Sequence, residues 1–223
     1  MTVLRALAAS LLLTFFAIAA PAQAQALSAK DYTALPQPQP TETGAKVEVI
    51  EFFFYSCPYC NSFDPILGDW VKRQGDKIVF KRVHIDMHGA GPLQRMYYTL
   101  EAMGLVEGVH SKIFQAIHGQ RKNIRTDAEA TQLVASLGID QAKYAAMSRS
   151  FSIESKIRRA KQLENGYKVD GVPTIAIGGR YITSPAQVGE ARPNITTSQQ
   201  ANAAVTGVLD ALVLKAAQEK TVK

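Results

Sequence analysis

The stretch 47–60, VEVIEFFFYSCPYC, carries the strongest structural signal in the chain. From Val47 to Tyr55, β-branched and aromatic residues occupy both odd and even positions. This pattern predicts a strand that is covered on both faces and central in its sheet. Pro58 suits the first position of a helix, because its missing N–H would be unpaired there. Apolar residues then recur at steps of three and four, so a helix follows the strand, and Pro65 should kink it or mark a tight turn.

The remaining elements alternate around a long helical block. Ile78 to Ile85 is a second strand candidate, and helical periodicity and caps extend from about His88 to Val169. The clearest signals are a capping box at Thr126 and Glu129, a cap at Asp140, a hairpin at Gly178-Gly179-Arg180 between strands 174–177 and 181–183, and an amphipathic helix from Ser198 to Lys215. This order predicts an α/β layer with helices on both faces and a helical insertion.

Length and composition indicate one globular unit. The 223 residues are 47% hydrophobic and 20% charged, which excludes a disordered, collagen-like or cysteine-stapled chain. The formal net charge is +6, but the basic clusters contain acids, so we expect no nucleic-acid partner.

The N-terminus resembles a secretory signal peptide. Arg5 precedes an apolar run from Ala6 to Ala20, and small residues follow it, which predicts cleavage after Ala24 or Ala26. A membrane anchor is the alternative, but the run is shorter than the roughly 20 residues of a bilayer span. We therefore expect an exported protein, most simply in a bacterial periplasm. Residues 27–45 should form an extended N-terminal segment, with the proline-rich part 35–40 as a surface connector before the globular part.

The two cysteines, Cys57 and Cys60, are separated by two residues at the junction of the predicted strand and helix. Backbone amides and the dipole at a helix N-terminus favour a thiolate on the first sulfur, which we expect at the rim. The second sulfur can then resolve a mixed disulfide. A purely structural disulfide between these cysteines would add little stability, because it would close a very short loop. A zinc site would need more ligands than the scattered His84, His88, His110 and His118 supply, so we expect no metal and no cofactor.

Two further features bear on this chemistry. Val172-Pro173 enters a strand, where a proline peptide bond can be cis or trans. A cis proline facing the cysteines would hold a substrate backbone. Glu48 and Glu51 have opposite parity in the covered strand, so we expect one of them to be buried. Glu51 is a candidate proton relay for Cys60, or alternatively a carboxylate paired with Lys81 or Arg82.

These residues together resemble the DsbA family of bacterial periplasmic thiol-disulfide oxidases. The resemblance includes Glu51-Phe52-Phe53, Cys57-Pro58-Tyr59-Cys60, Phe63-Asp64 and Gly171-Val172-Pro173, and spans about Ala45 to Ala217. It implies a thioredoxin fold with an inserted all-helical domain. The thioredoxin-like domain would comprise residues 46–88 and 169–223, and the insertion residues 89–168.

The resemblance also implies residue roles. Cys57 would be the attacking cysteine, Cys60 the resolving one, Val172-Pro173 the cis-proline loop and Glu51 the family's buried acid. Asp64 and Arg82 fall near its supporting charged positions, and Pro58 and Tyr59 would tune the site. Well-studied members of the family carry histidine where this chain has Tyr59. Tyrosine supplies less positive charge, so the reduced form should be less stabilised.

The expected function is an exported thiol:disulfide oxidoreductase that donates its Cys57-Cys60 disulfide to reduced exported proteins. The resemblance implies reoxidation by a DsbB-type membrane quinone reductase. One alternative is a reductase or isomerase of periplasmic disulfides; because no dimerisation module is evident, we expect a monomer. The other is a substrate-binding or metal-holding module with incidental cysteines.

Overall fold

The computed structural model describes residues 27–87, 89 and 91–221. The predicted signal segment 1–26, with both cleavage sites, and His88 lie outside the described residues. A mixed sheet has the strand order β1-β5-β4-β2-β3. Its strands are β1 (Thr33–Ala34), β2 (Val47–Phe53), β3 (Ile78–His84), β4 (Thr174–Ile177) and β5 (Tyr181–Thr183).

Strand β2 is the centre of the fold. All of its residues are buried, and it pairs in parallel with β3 and antiparallel with β4. The prediction of a strand covered on both faces is confirmed. Tyr55 and Cys57, which follow the carboxyl end of β2, therefore lie at the end of a central strand.

Apart from one short helix after the β4-β5 hairpin, the helices follow the predicted order. They are α1 (Pro58–Gln74), α2 (Gly91–Ala102), α3 (Val106–Phe114), a π-helical turn (Gln115–Gly119), α4 (Asp127–Ser136), α5 (Gln141–Ser148), α6 (Phe151–Gly166), α7 (Pro185–Ala191) and α8 (Ser198–Thr221). A short 3₁₀ turn, Gly75–Lys77, links α1 to β3. Helices α2 to α6 occupy the chain between β3 and β4, where the insertion is predicted.

Local sequence signals account for several element ends. Thr126 and Glu129 form the predicted capping box, and Asp140 accepts a hydrogen bond from the backbone N–H of Lys143 at 3.0 Å. The β4-β5 hairpin turns at Gly178 and Gly179, whose φ angles are +60° and +71°. A Cβ atom at Gly179 would also collide with the backbone carbonyl of Gln39. These predictions are confirmed.

Other elements differ from the prediction. The sheet begins earlier than expected, because β1 pairs antiparallel with β5 before the proline-rich segment. The buried carboxylate of Asp31 anchors this region through two contacts with Arg192, at 3.0 and 2.9 Å. Helix α7 is not predicted. The prediction of a tight turn at Pro65 is wrong, because α1 continues through this residue.

The sheet separates two hydrophobic cores. One lies on the side of the insertion and contains Phe52, Phe53 and both cysteines, with insertion residues such as Leu93 and Ile113. The other joins α1 to the C-terminal helix through Phe63, Trp70, Val205, Leu209 and Leu212. The cysteines therefore sit where the insertion packs against the sheet.

Candidate active site

The two sulfur atoms lie at the N-terminus of α1. Cys57 is the N-cap residue, with φ −77° and ψ 117°, and Pro58 follows in the first turn. The Sγ atom of Cys57 accepts a hydrogen bond from the backbone N–H of Cys60 at 3.1 Å. Backbone amides at this position satisfy and stabilise a thiolate.

The two cysteines differ in acidity. A hydrogen bond with the Cys60 side chain lowers the pKa of Cys57 to about 7, although burial opposes this shift. Burial raises the pKa of Cys60 well above its usual range, and the neighbouring Cys57 and Glu51 add to the rise. Cys57 is thus suited to be nucleophile and leaving group, whereas Cys60 needs a proton acceptor before it can attack.

The first sulfur is less accessible than predicted. Cys57 is 4% exposed and Cys60 is 0% exposed. The thiol of Cys57 donates to the carbonyl oxygen of Val172 at 3.6 Å, so the loop before β4 covers it. Cys57 is slightly more exposed than Cys60, as expected from their positions at the start of α1. However, Cys57 does not lie on an open surface.

The peptide bond between Val172 and Pro173 is cis. This loop forms one wall of a cavity of about 350 Å³ beside the cysteines. The other walls come from the start of α1, from α7 and from the start of α8. Lining residues include Tyr59, Val172, Pro173, Pro185, Ala201 and Asn202. Tyr59 is 60% exposed, so its ring borders the opening.

Glu51 is buried, as expected of one of the two acids of β2, and Glu48 is buried as well. Each reaches a cation on the neighbouring strand β3. Glu48 pairs with Lys81 at 2.7 Å, and Glu51 pairs with Arg82 at 3.0 Å. Parallel pairing places Glu51 opposite Arg82 and Ile50 opposite Lys81, which brings both cations within reach. The alternative prediction, that the Glu51 carboxylate pairs with Arg82, is therefore confirmed.

Arg82 also contacts a second carboxylate, which is partly buried. Its Nη2 atom lies 3.4 Å from Oδ1 of Asp64, on α1. Burial raises the pKa of Glu51 to about 7; the Arg82 charge opposes this rise and the Asp64 charge adds to it. For Asp64, burial is outweighed by the hydrogen bond from His110 and the charge of Arg82, and its pKa is lowered. Two carboxylates with opposite pKa shifts thus share one guanidinium.

Sequence reasoning missed the residues around Tyr55. Its backbone N–H donates to Nε2 of His84 at 3.2 Å, its carbonyl accepts from Nε2 of His118 at 2.8 Å, and its hydroxyl lies 2.9 Å from Nδ1 of His110. The histidines are far apart in sequence, so no local pattern could group them. Within the described ranges, no three His, Cys, Asp or Glu side chains are arranged to hold a metal ion.

A sequence model described as DSBA-like thioredoxin domain matches residues 48–199. The chain belongs to this family. The thiol:disulfide interchange protein DsbA of Bordetella parapertussis is 40% identical over 166 residues, covering 74% of this chain and 79% of that protein. The protein of the same name from Pseudomonas aeruginosa is 35% identical over 153 residues, covering 68% and 72%. The crystal structure of Pseudomonas aeruginosa DsbA matches with a TM-score of 0.73 at 30% identity, covering 83% of this chain and 91% of that chain.

This DsbA-family chain is a thiol:disulfide oxidoreductase with a thioredoxin fold and a helical insertion. The fold class and the exchange chemistry predicted from the sequence are confirmed. The relatives are bacterial proteins. Across residues 27–87, 89 and 91–221, no helix has both the length and the hydropathy of a membrane span.

Proposed function

We propose that this enzyme donates the Cys57-Cys60 disulfide to reduced exported proteins. A substrate thiolate bonds to Sγ of Cys57, the bond between the two cysteines breaks, and Cys60 leaves and takes up a proton. A second substrate thiolate then bonds to the first substrate sulfur and releases Cys57 as a thiolate. Two electrons pass from the substrate dithiol to the enzyme, which ends reduced.

The observation that carries the proposal is the hydrogen bond from the Cys60 amide to Sγ of Cys57 at 3.1 Å. It stabilises the thiolate that is released in the second step. Because that thiolate exists only in the reduced enzyme, its stabilisation favours electron transfer from substrate to enzyme. The pKa of Cys57, about 7, agrees with this direction.

Glu51 is proposed as the proton relay for Cys60. Its carboxyl is 1% exposed, and burial raises its pKa to about 7, which suits proton exchange near neutral pH. The charge of Glu51 adds to the raised pKa of Cys60, and the charge of Cys57 adds to the raised pKa of Glu51, as expected of neighbouring acids. Loss of this carboxyl should slow both protonation and deprotonation of Cys60.

The cavity beside the cysteines is proposed to hold the substrate chain. Tyr59 borders its opening, and Val172 and Pro173 form a wall that reaches the reacting sulfur through the Val172 carbonyl. Pro58 supports the site by starting α1 without a competing amide.

The proposed location is the bacterial periplasm, with a DsbB-type membrane quinone reductase as the oxidant that regenerates the disulfide. The predicted signal segment and the bacterial DsbA relatives support this assignment. In that compartment the reduced enzyme would need an external electron acceptor after each turnover.

The equilibrium reduction potential of the cysteine pair tests the direction. The protein would be equilibrated in glutathione buffers and its free thiols counted by alkylation, with Cys57→Ser and Cys60→Ser as controls. The DsbA family itself supplies the oxidising reference, about −120 mV, against about −270 mV for thioredoxin. We expect a value nearer the former. A value near that of thioredoxin would contradict the donor role and favour the reductase alternative.

A further inference from the structure

His110 of α3 completes a row of polar side chains that leads to the buried acid beside the cysteines. Its Nδ1 atom lies 2.9 Å from the hydroxyl of Tyr55, and its Nε2 atom lies 3.0 Å from Oδ1 of Asp64. Asp64 contacts Arg82, which in turn pairs with Glu51. The row joins the helical insertion to the centre of the sheet.

The chemistry of Tyr55 determines which nitrogen of His110 carries the proton. Tyr55 is fully buried, and burial raises the pKa of its hydroxyl well above the usual range. The hydroxyl therefore stays protonated and donates to Nδ1. Burial also lowers the pKa of His110, which leaves the ring neutral. A neutral ring that accepts at Nδ1 must carry its proton on Nε2, so it donates to Asp64.

The charge count explains why Asp64 needs this donor. Arg82 forms ion pairs with Glu51 at 3.0 Å and with Asp64 at 3.4 Å. It also contacts the exposed carboxylate of Glu107 at 3.4 Å. One guanidinium thus faces three carboxylates. Asp64 is 14% exposed at its side chain, so water alone solvates it incompletely. The N–H of His110 makes the shorter of its two side-chain contacts.

Ionisable groups from several elements surround both His110 and Glu51. Around His110 these are Asp64 from α1, Arg82 and His84 from β3, and Glu107 on its own helix. Around Glu51, across the same Arg82 and Asp64, they are Cys57 and Cys60 at the start of α1.

We propose that His110 is a positioning residue for the exchange reaction: by donating to Asp64, it leaves Arg82 paired with Glu51. The proposal rests on the proton-relay role proposed above for Glu51. Without the His110 donor, Asp64 competes for the guanidinium and Glu51 loses part of its ion pair. The protonated form of Glu51 is then favoured, so Cys60 loses its proton to Glu51 only at higher pH. The expected shift is about one pH unit.

Single-turnover kinetics isolates this step. The probe is the enzyme carrying a glutathione mixed disulfide on Cys57, and the readout is the rate at which Cys60 releases glutathione between acid and alkaline pH. His110→Asn keeps an acceptor near the Tyr55 hydroxyl but cannot reach Asp64. His110→Gln places an amide N–H near the position of Nε2, so it is the matched rescue variant. Thermal unfolding of each variant reports any structural damage.

We expect the midpoint of the pH profile to rise by about one unit in His110→Asn and to return towards wild type in His110→Gln. Tyr55→Phe, which frees Nδ1 with little change of shape, should raise it by less. If His110→Asn does not fold, the Tyr55→Phe variant provides the test. An unchanged midpoint of the pH profile in Tyr55→Phe would then overturn the proposal. Equal midpoints in His110→Asn and His110→Gln would also overturn it.

Glu51→Gln separates this proposal from the one it rests on. If Glu51→Gln abolishes the titration while the His110 variants leave it unchanged, the role of His110 fails and that of Glu51 stands. If Glu51→Gln retains the wild-type profile, both fail. The reduction potential, measured independently, tests the donor direction in either case.

Discussion

The carboxylate of Glu51 and the guanidinium of Arg82 lie 3.0 Å apart, at paired positions of the parallel strands β2 and β3. The pair is almost completely buried, with side chains 1% and 11% exposed. Burial outweighs the attraction of the cation, so the pKa of Glu51 rises to about 7. The pair therefore holds an acid that titrates near neutral pH, as the proton-relay role proposed for Glu51 requires.

Glu51→Gln should change how the free energy of unfolding depends on pH. A carboxyl whose pKa is raised on folding contributes stability that is fully present below its unfolded value, 4.5, and lost as pH rises through about 7. Between these values the wild type should lose roughly 3 kcal/mol relative to Glu51→Gln. Denaturant unfolding at a series of pH values measures the difference in slope. Parallel profiles would contradict the prediction.

Cys57→Ser should show the opposite dependence. The pKa of Cys57 is lowered from 9.0 to about 7, so its contribution is present above 9 and lost as pH falls through 7. The unfolding free energy of the reduced wild type should therefore rise with pH by roughly 2 to 3 kcal/mol relative to reduced Cys57→Ser. Ultraviolet absorbance of the thiolate gives the same pKa independently. A thiolate that appears only near pH 9 would exclude stabilisation at the N-cap.

Tyr59→His tests the departure from the family pattern. An imidazole beside the Cys57 thiolate adds positive charge and a donor, so it should stabilise the reduced form. Stabilisation by about 1.4 kcal/mol corresponds to an increase of about 30 mV in reduction potential. Tyr59→Phe, which keeps the ring of this 60% exposed residue but lacks the hydroxyl, is the control and should change little. Equal potentials in the two variants would show that the position does not tune the thiolate.

Leu209→Ala probes the core on the far side of the sheet. Leu209 of α8 is fully buried among residues of α1 and β2, so truncation should cost about 2 to 5 kcal/mol of unfolding free energy. The exchange rate at a temperature where the variant is folded should stay close to wild type. Leu214→Ala on the same helix, at a side chain 61% exposed, should cost less than about 0.5 kcal/mol. Equal losses in the two variants would contradict the packing described for α8.

Much of the fold could be predicted from the sequence because its signals act over a few residues. The apolar pattern of β2, the capping box at Thr126 and the turn at Gly178 and Gly179 each depend on neighbouring side chains and backbone angles. The thiolate position of Cys57 belongs to the same class, since an N-cap followed by Pro58 is a local arrangement.

Except for the Glu51-Arg82 pair and the Val172-Pro173 loop against Cys57, each of which was predicted as one of two alternatives, relationships between distant residues were not predicted. Tyr55 meets His110 across 55 positions and His118 across 63, and Asp31 accepts from Arg192 across 161. A histidine or an acid has the same local pattern whether it faces solvent or a partner. Burial of both Glu48 and Glu51 likewise depended on cations supplied by the neighbouring strand.

The sequence by itself therefore determined the central strand, the reactive cysteine at a helix start and the family to which both belong. Only the tertiary structure decided how far Cys57 is covered, which carboxylates share Arg82, and that histidines surround Tyr55. The physical reason is that backbone conformation and capping are local free-energy terms, whereas burial and charge pairing depend on which distant elements pack together.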